Sequence, residues 1–192
     1  MSFVSERARL ILVRHGETNA NKSFIVQGQM DWPLNDKGRR QAETVAERLS
    51  GIKIDRAFTS PLSRALDTAK EIMKHHPGAP LILEERLKEM YAGRNEGREF
   101  SSKKEVYEYA MLRAEEAGGE TLEGFQRRVY SFLRDAALSN PGKTILVVSH
   151  GGTSMALFNA LRRKPASEML NIEPPANTEV TELDVLLRLL RK

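Results

Sequence analysis

The sequence predicts an α/β protein with a three-layer, mostly parallel sheet covered by helices on both faces. Three observations predict it. Short apolar runs alternate along the chain with segments of helical period. The clearest runs, such as Leu146-Val147-Val148, are continuously apolar rather than alternating, as strands buried on both faces must be. Glycine and proline punctuate the boundaries between segments.

The elements follow in order. Residues 8 to 13 read as a buried strand that runs into a loop at Arg14-His15-Gly16. Asn35 and Asp36 offer caps for a helix over about 36–49, with Ala42, Val45, Ala46 and Leu49 at helical spacing and Gly51 as its stop. A second strand spans 56–59. Ser60-Pro61 should then cap and open a helix that runs to about His75, closed by Pro77 and Gly78. Leu81 to Leu83 form a third strand, and 84–97 is a polar loop. Helices are expected over 102–116 and 121–139, a strand over 144–148, a helix over 153–162, and a last strand over 178–187 that runs on as a frayed tail. No internal repeat or linker is visible, and 192 residues suit a single domain spanning 1–192.

Composition narrows the function. Apolar residues at 40% and charged residues at 29% are ordinary globular values. The net charge of +4 is spread along the chain, with no basic arm and no interleaved basic and aromatic stretch, so nucleic acid is not expected as a partner. The absence of cysteine removes disulfides and thiol nucleophiles and suits a reducing compartment. The first apolar run is too short for a signal or a membrane span and is interrupted by arginines, which makes a cytoplasmic protein with no membrane partner the expectation.

Two of the four histidines sit where an open α/β sheet binds ligands, beyond the carboxyl ends of strands. His15 and His150 each follow an apolar strand and each precede a glycine, in Arg14-His15-Gly16-Glu17-Thr18 and Ser149-His150-Gly151-Gly152. Glycine permits close approach of a ligand to the backbone, and a helix start after Gly152 would present free N–H groups to an anion. One strand-end histidine would read as structural; two in equivalent settings reverse the odds. His75 and His76 close a helix where a cation suits the dipole, and no role is assigned to them. No third ligand accompanies His15 and His150 at a zinc spacing, so neither a metal nor a cofactor is expected.

Arg14-His15-Gly16-Glu17-Thr18 with Asn21, then Gln27-Gly28, Asp31, Pro33-Leu34 and Gly38, resembles the signature of the histidine phosphatase superfamily, which includes the phosphoglycerate mutases. Ser60-Pro61-Leu62-Ser63-Arg64-Ala65 resembles its second arginine segment, Glu89 with Gly93, Glu96 and Gly97 its acid loop, and Ser149-His150-Gly151-Gly152 its second histidine. Four segments in the family's order make the resemblance specific. It implies a phosphoglycerate mutase-like fold and hydrolysis of a small phosphate monoester through a phosphohistidine. It implies catalytic roles for His15, Glu89, Arg14, Arg64 and His150. Asn21, Gln27, Gly28 and Gly151 join Arg14, Arg64, Glu89 and His150 in holding the phosphorylated small molecule.

The residue types fit that chemistry. Phosphoryl transfer needs an in-line nucleophile and convergent donors for three equatorial oxygens. Neutral imidazole serves as the nucleophile near pH 7, and two forked guanidinium groups can replace a metal. A cationic His150 would add a third positive donor. One carboxyl group must protonate the departing alcohol and then deprotonate water; the resemblance selects Glu89, whereas the residues alone leave Glu84, Glu85, Glu89 and Glu96 open. Glu17 reads as structural, paired with an arginine.

Two departures from the family pattern bear on substrate. Many relatives carry arginine where this chain has Ile25, which removes an anion contact, and an aromatic residue where it has Asn95, which should make the pocket wall more polar. The stretch 98–118, with Lys103, Lys104, Tyr107, Tyr109 and Arg113, would form a small cap over the pocket. A mutase using the same histidine is the runner-up, disfavoured by the lack of basic insertions, and a binding protein without turnover is third. A homodimer is common on general grounds, but no residue pattern demands one.

Overall fold

The computed structural model describes residues 6–190. Five strands form one sheet in the order β3-β2-β4-β1-β5. They are β1 (Arg7–Arg14), β2 (Arg56–Thr59), β3 (Leu81–Leu83), β4 (Thr144–Ser149) and β5 (Val180–Leu186). The first four are mutually parallel and β5 lies antiparallel along β1 at the edge. The expected α/β class and mostly parallel sheet are what the molecule has.

Consecutive residues of β1 point to opposite faces, which explains its unbroken apolar run. Ile11 and Val13, with Leu146, Val148 and Ala57, pack under α2 (Asp36–Leu49) and α3 (Ser63–Met73) through Val45, Leu49, Ala65, Ala69 and Ile72. Leu10 and Leu12, with Ile145, Val147 and Phe58, pack on the other face against α5 (Leu122–Leu138) and α6 (Gly151–Leu161). Phe58 and Phe132 meet edge to face at 5.3 Å, a geometry worth about 1 kcal/mol beyond their burial.

The caps explain most boundaries. Asn35 accepts from the Gly38 amide at 2.8 Å to start α2, and Thr121 accepts from Gly124 at 2.9 Å to start α5. Ser60 does not cap its helix as expected: α3 starts at Ser63 behind Leu62, and the Ser60 hydroxyl is drawn to His150 at 2.8 Å. α6 starts at Gly151 rather than 153, since the extended backbone of His150 turns directly into the helix. Beyond β5 there is no fraying up to Leu190, because a single turn (Leu187–Leu189) carries Leu187 and Leu190 back into the core.

The stretch expected as one helix over 102–116 is three pieces: α4 (Lys103–Tyr107), a wide π-type turn (Glu108–Leu112) and a short turn (Glu115–Ala117). Asn95 causes the break. Its amide donates to the carbonyls of Tyr109 at 3.0 Å and Arg113 at 3.1 Å, which withdraws both from a regular ladder. Asn95 is therefore an anchor for the cap and does not line the pocket, contrary to the expectation from sequence.

Where α2 meets the loop after β1, only glycine fits. A Cβ on Gly38 would collide with the backbone of Glu17, and one on Gly16 with the backbone of Gly38. Backbone cannot swing aside as a side chain would, so Gly38→Ala should destabilise by about 1–3 kcal/mol, read from the denaturant midpoint.

Candidate active site

The register of the sheet brings the chemistry together. Arg14 lies opposite Ser149 and Thr59 opposite Val148, so β2, β4 and β1 end side by side. The ladder continues one residue further, with the His15 amide donating to Ser149 at 2.9 Å and the Ser60 amide to Val148 at 3.1 Å. His15 and Ser60 are thereby fixed by sheet backbone, and His150 stands between the end of β4 and the start of α6.

His15 is 2% exposed, and its Nδ1 contacts the Gly16 carbonyl at 2.7 Å. A carbonyl can only accept, so Nδ1 carries the proton and Nε2 keeps its lone pair free. Burial, and then the positive charges of Arg64 and Arg14, hold this imidazole well below the usual histidine pKa.

His150 stands behind it, with ring centroids 5.2 Å apart. Its Nε2 contacts Ser60 Oγ and its Nδ1 accepts from Arg64 Nε at 3.2 Å. Burial first, and then Arg64, push its pKa well down, so the expected cationic donor is a neutral ring. It does not line the cavity.

Both imidazoles are neutral in the folded chain, whereas an unfolded chain takes a second proton up on each below about pH 6.5. These groups leave stability unchanged above that pH and lower it as pH falls below, with a slope of up to about 2.7 kcal/mol per pH unit for two protons. Denaturant titrations between about pH 8 and 5 should show the fall, and a shallower one in His150→Gln; equal slopes would contradict it.

Arg64 is 1% exposed. Besides His150, it donates to the carbonyls of Met30 at 2.9 Å and Gly28 at 2.8 Å, and burial lowers its pKa to about 10, still charged at neutral pH. Each terminal nitrogen keeps a second hydrogen. Arg14 donates to Pro175 O at 2.7 Å, while its buried Nε has no hydrogen-bond partner among the described residues.

Four acids competed on sequence, and the structure separates them. Glu84 pairs with Arg86 at 2.8 Å and Glu85 with Lys88 at 2.6 Å; Glu96 accepts from the amides of Gln29 and Ala92 and braces Gly28. Of these only Glu89 lines the cavity. Its carboxylate accepts from the Met90 and Gly152 amides, both at 2.9 Å, and Arg128 and Gln29 grip its carbonyl.

Asn21 and Gln27 line the same cavity of about 260 Å³. The Asn21 oxygen accepts from Thr18 N and the Gln27 oxygen from Thr18 Oγ1, which leaves both amide nitrogens to donate. Gly28 lines the cavity, but Gly151 does not: it lies beneath Arg14 and the Tyr107 hydroxyl, and Gly152 is the glycine at the wall.

Several features of the site are not legible in the sequence. Asn177 donates to His15 O at 2.9 Å and Pro175 holds Arg14, contacts across some 160 residues that no local pattern announces. Ser60, expected as a cap, is the partner of His150. Glu17 pairs with Lys37 at 2.7 Å, not with an arginine, and that contact holds its carboxyl below the usual range. His76 is buried and shifted down by desolvation, so it is no cation on a helix end.

A strand-end histidine beside two buried arginines at one cavity supplies what phosphoryl transfer needs, a nucleophile and convergent positive donors. Residues 10–186 match the model of the histidine phosphatase superfamily (branch 1), and the chain belongs to that family. It is 34% identical over 182 residues to the putative phosphoserine phosphatase 2 of Hydrogenobacter thermophilus, covering 91% of this chain and 88% of that one. Phosphoglycerate mutase-like protein 4 of Arabidopsis thaliana is 33% identical, with 90% and 77% covered. The crystal structure of a phosphoserine phosphatase from Entamoeba histolytica in complex with 3-phosphoglyceric acid superposes with a TM-score of 0.75 at 29% identity, with 91% and 89% covered. Among the described residues no helix is long and apolar enough to cross a membrane.

Proposed function

We propose that the protein is a phosphoric monoester hydrolase that acts on small phosphorylated molecules without a metal, through a phosphohistidine on His15. One observation carries this reading: the Nδ1 proton of His15 is committed to Gly16 O, so the neutral ring offers Nε2 to a cavity that also holds Arg14 and Arg64. Nε2 attacks phosphorus and the bond to the alcohol oxygen breaks. Glu89 supplies the proton to that oxygen. Water then attacks the phosphohistidine, Glu89 takes its proton, the N–P bond breaks and phosphate leaves.

Arg14, Arg64, Asn21 and Gln27 are the donors for the phosphoryl oxygens, with Gly28 and Gly152 shaping the approach and Gly151 leaving room for Arg14 and Tyr107. Neutral His150 is a positioning residue that orients Arg64. Two guanidinium groups supply the positive charge that a metal brings to other phosphatases, and they would repel a cation. We take residues 1–192 as one cytoplasmic domain with a cap at about 98–118, and the substrate as a small molecule rather than nucleic acid or membrane. A homodimer is the quaternary state that size-exclusion chromatography would test.

Phosphate release from a generic aryl phosphate in excess chelator tests the reading. Activity that survives chelator supports it, and activity abolished by chelator sinks the metal-free route. Relatives named as probable phosphoglycerate mutases keep the mutase as a second reading. Interconversion of 2- and 3-phosphoglycerate faster than phosphate release would favour it.

A further inference from the structure

Beyond the phosphate grip, the cavity changes character. Its wall is built from Phe24 and Ile25 after the short helix α1 (Asn19–Lys22), Met90 beside Glu89, and Val106, Ala110 and Met111 of the cap. The cations that line it are Arg14 and Arg64, already committed to phosphate, and Lys103, exposed at the rim.

The aromatic part of that wall is held in place against backbone preference. Phe24 has φ of 51°, a left-handed conformation unfavourable for a ring-bearing residue. Backbone bonds on every side enforce it: Ile25 N to Ala20 O at 2.9 Å, Phe100 N to Phe24 O at 3.0 Å and Val26 N to Arg98 O at 2.9 Å. Phe24 nevertheless stays 40% exposed, so the ring is not there to complete the core. Strain retained at a cavity wall points to a use for that wall.

We propose that the alcohol leaving this site carries an apolar body, aromatic or alkyl, rather than a carboxylate as in glycerate or serine. The inference rests on the phosphatase reading and adds the class of leaving group. A carboxylate set against Ile25, Val106 and Met111 would lose its water to three side chains that cannot donate, with the Tyr107 hydroxyl, Asn177 and Lys103 as the donors elsewhere on the lining, whereas an apolar body would displace water from a wall that holds it poorly. Ile25 stands in that wall, so a charged side chain placed there would reach the leaving group.

The test compares esters of primary alcohols, so that leaving-group chemistry is matched: 2-phenylethyl phosphate, ethyl phosphate, O-phosphoserine and 3-phosphoglycerate. The expected result is a kcat/KM for 2-phenylethyl phosphate on the order of tenfold or more above each of the others. Ile25→Arg should narrow that gap by raising turnover of the two carboxylates, in a variant whose melting temperature shows it folded. The wild-type comparison decides the matter even if that variant does not fold. Equal or better turnover of phosphoserine or phosphoglycerate overturns the inference but leaves the phosphatase reading standing; loss of that preference in Lys103→Gln would place recognition at the rim. Hydrolysis of the aryl phosphate but of none of the four overturns the inference alone; hydrolysis of neither defeats both.

Discussion

Replacing His15 with alanine lowers kcat/KM for phosphate release by about four orders of magnitude or more, the usual cost of deleting a nucleophile. The ring is held by the Gly16 carbonyl and by the sheet bond from its own amide, which fixes its Nε2 at the cavity. His150 is the nearest imidazole, yet both of its nitrogens are engaged and it does not line the cavity. Brief mixing with substrate followed by an alkaline quench should trap an acid-labile phosphoenzyme in the wild type and none in the variant. A phosphoenzyme that persists in His15→Ala would move the nucleophile elsewhere.

Arg64→Leu is expected to cost nearly as much by a different route. It removes a charge stabilising the transferring phosphoryl group, worth about 10²–10³ in rate. It also strands the carbonyls of Gly28 and Met30 and the Nδ1 of His150 in a dry interior, for a stability loss of about 3–5 kcal/mol. Arg64→Lys would keep the charge but cannot reach the three partners, so it should recover only part of either loss. Kinetics paired with denaturant unfolding separate the two effects; full activity in either variant would remove Arg64 from the phosphate grip.

The parts of this molecule that could be read in the sequence are those fixed by local rules. β1 and β4 were visible because strands buried on both faces need unbroken apolar runs, and α2 because Asn35 and its apolar spacing declare it. His15 and His150 were visible because each ends such a strand. What could not be read was decided by distant partners. The run from Lys103 to Ala117 has helical propensity throughout, and only Asn95, reaching from another loop, breaks it. The choice of Glu89 over its neighbours depends on where the Gly152 amide lies. The neutral state of His150 depends on how completely Arg64 and the core exclude water.

The antiparallel edge strand has a consequence for how the protein comes into being. Arg14 and His15 emerge early in synthesis, but the groups that steady them, Pro175 O and the Asn177 amide, lie some 160 residues later, and Thr178 N bonds back to Arg14 O at 2.9 Å. A nascent chain can therefore stack its parallel strands and still lack a working centre. Hydrolytic competence should appear abruptly, only when the segment around 174–186 has left the ribosome and zipped along β1.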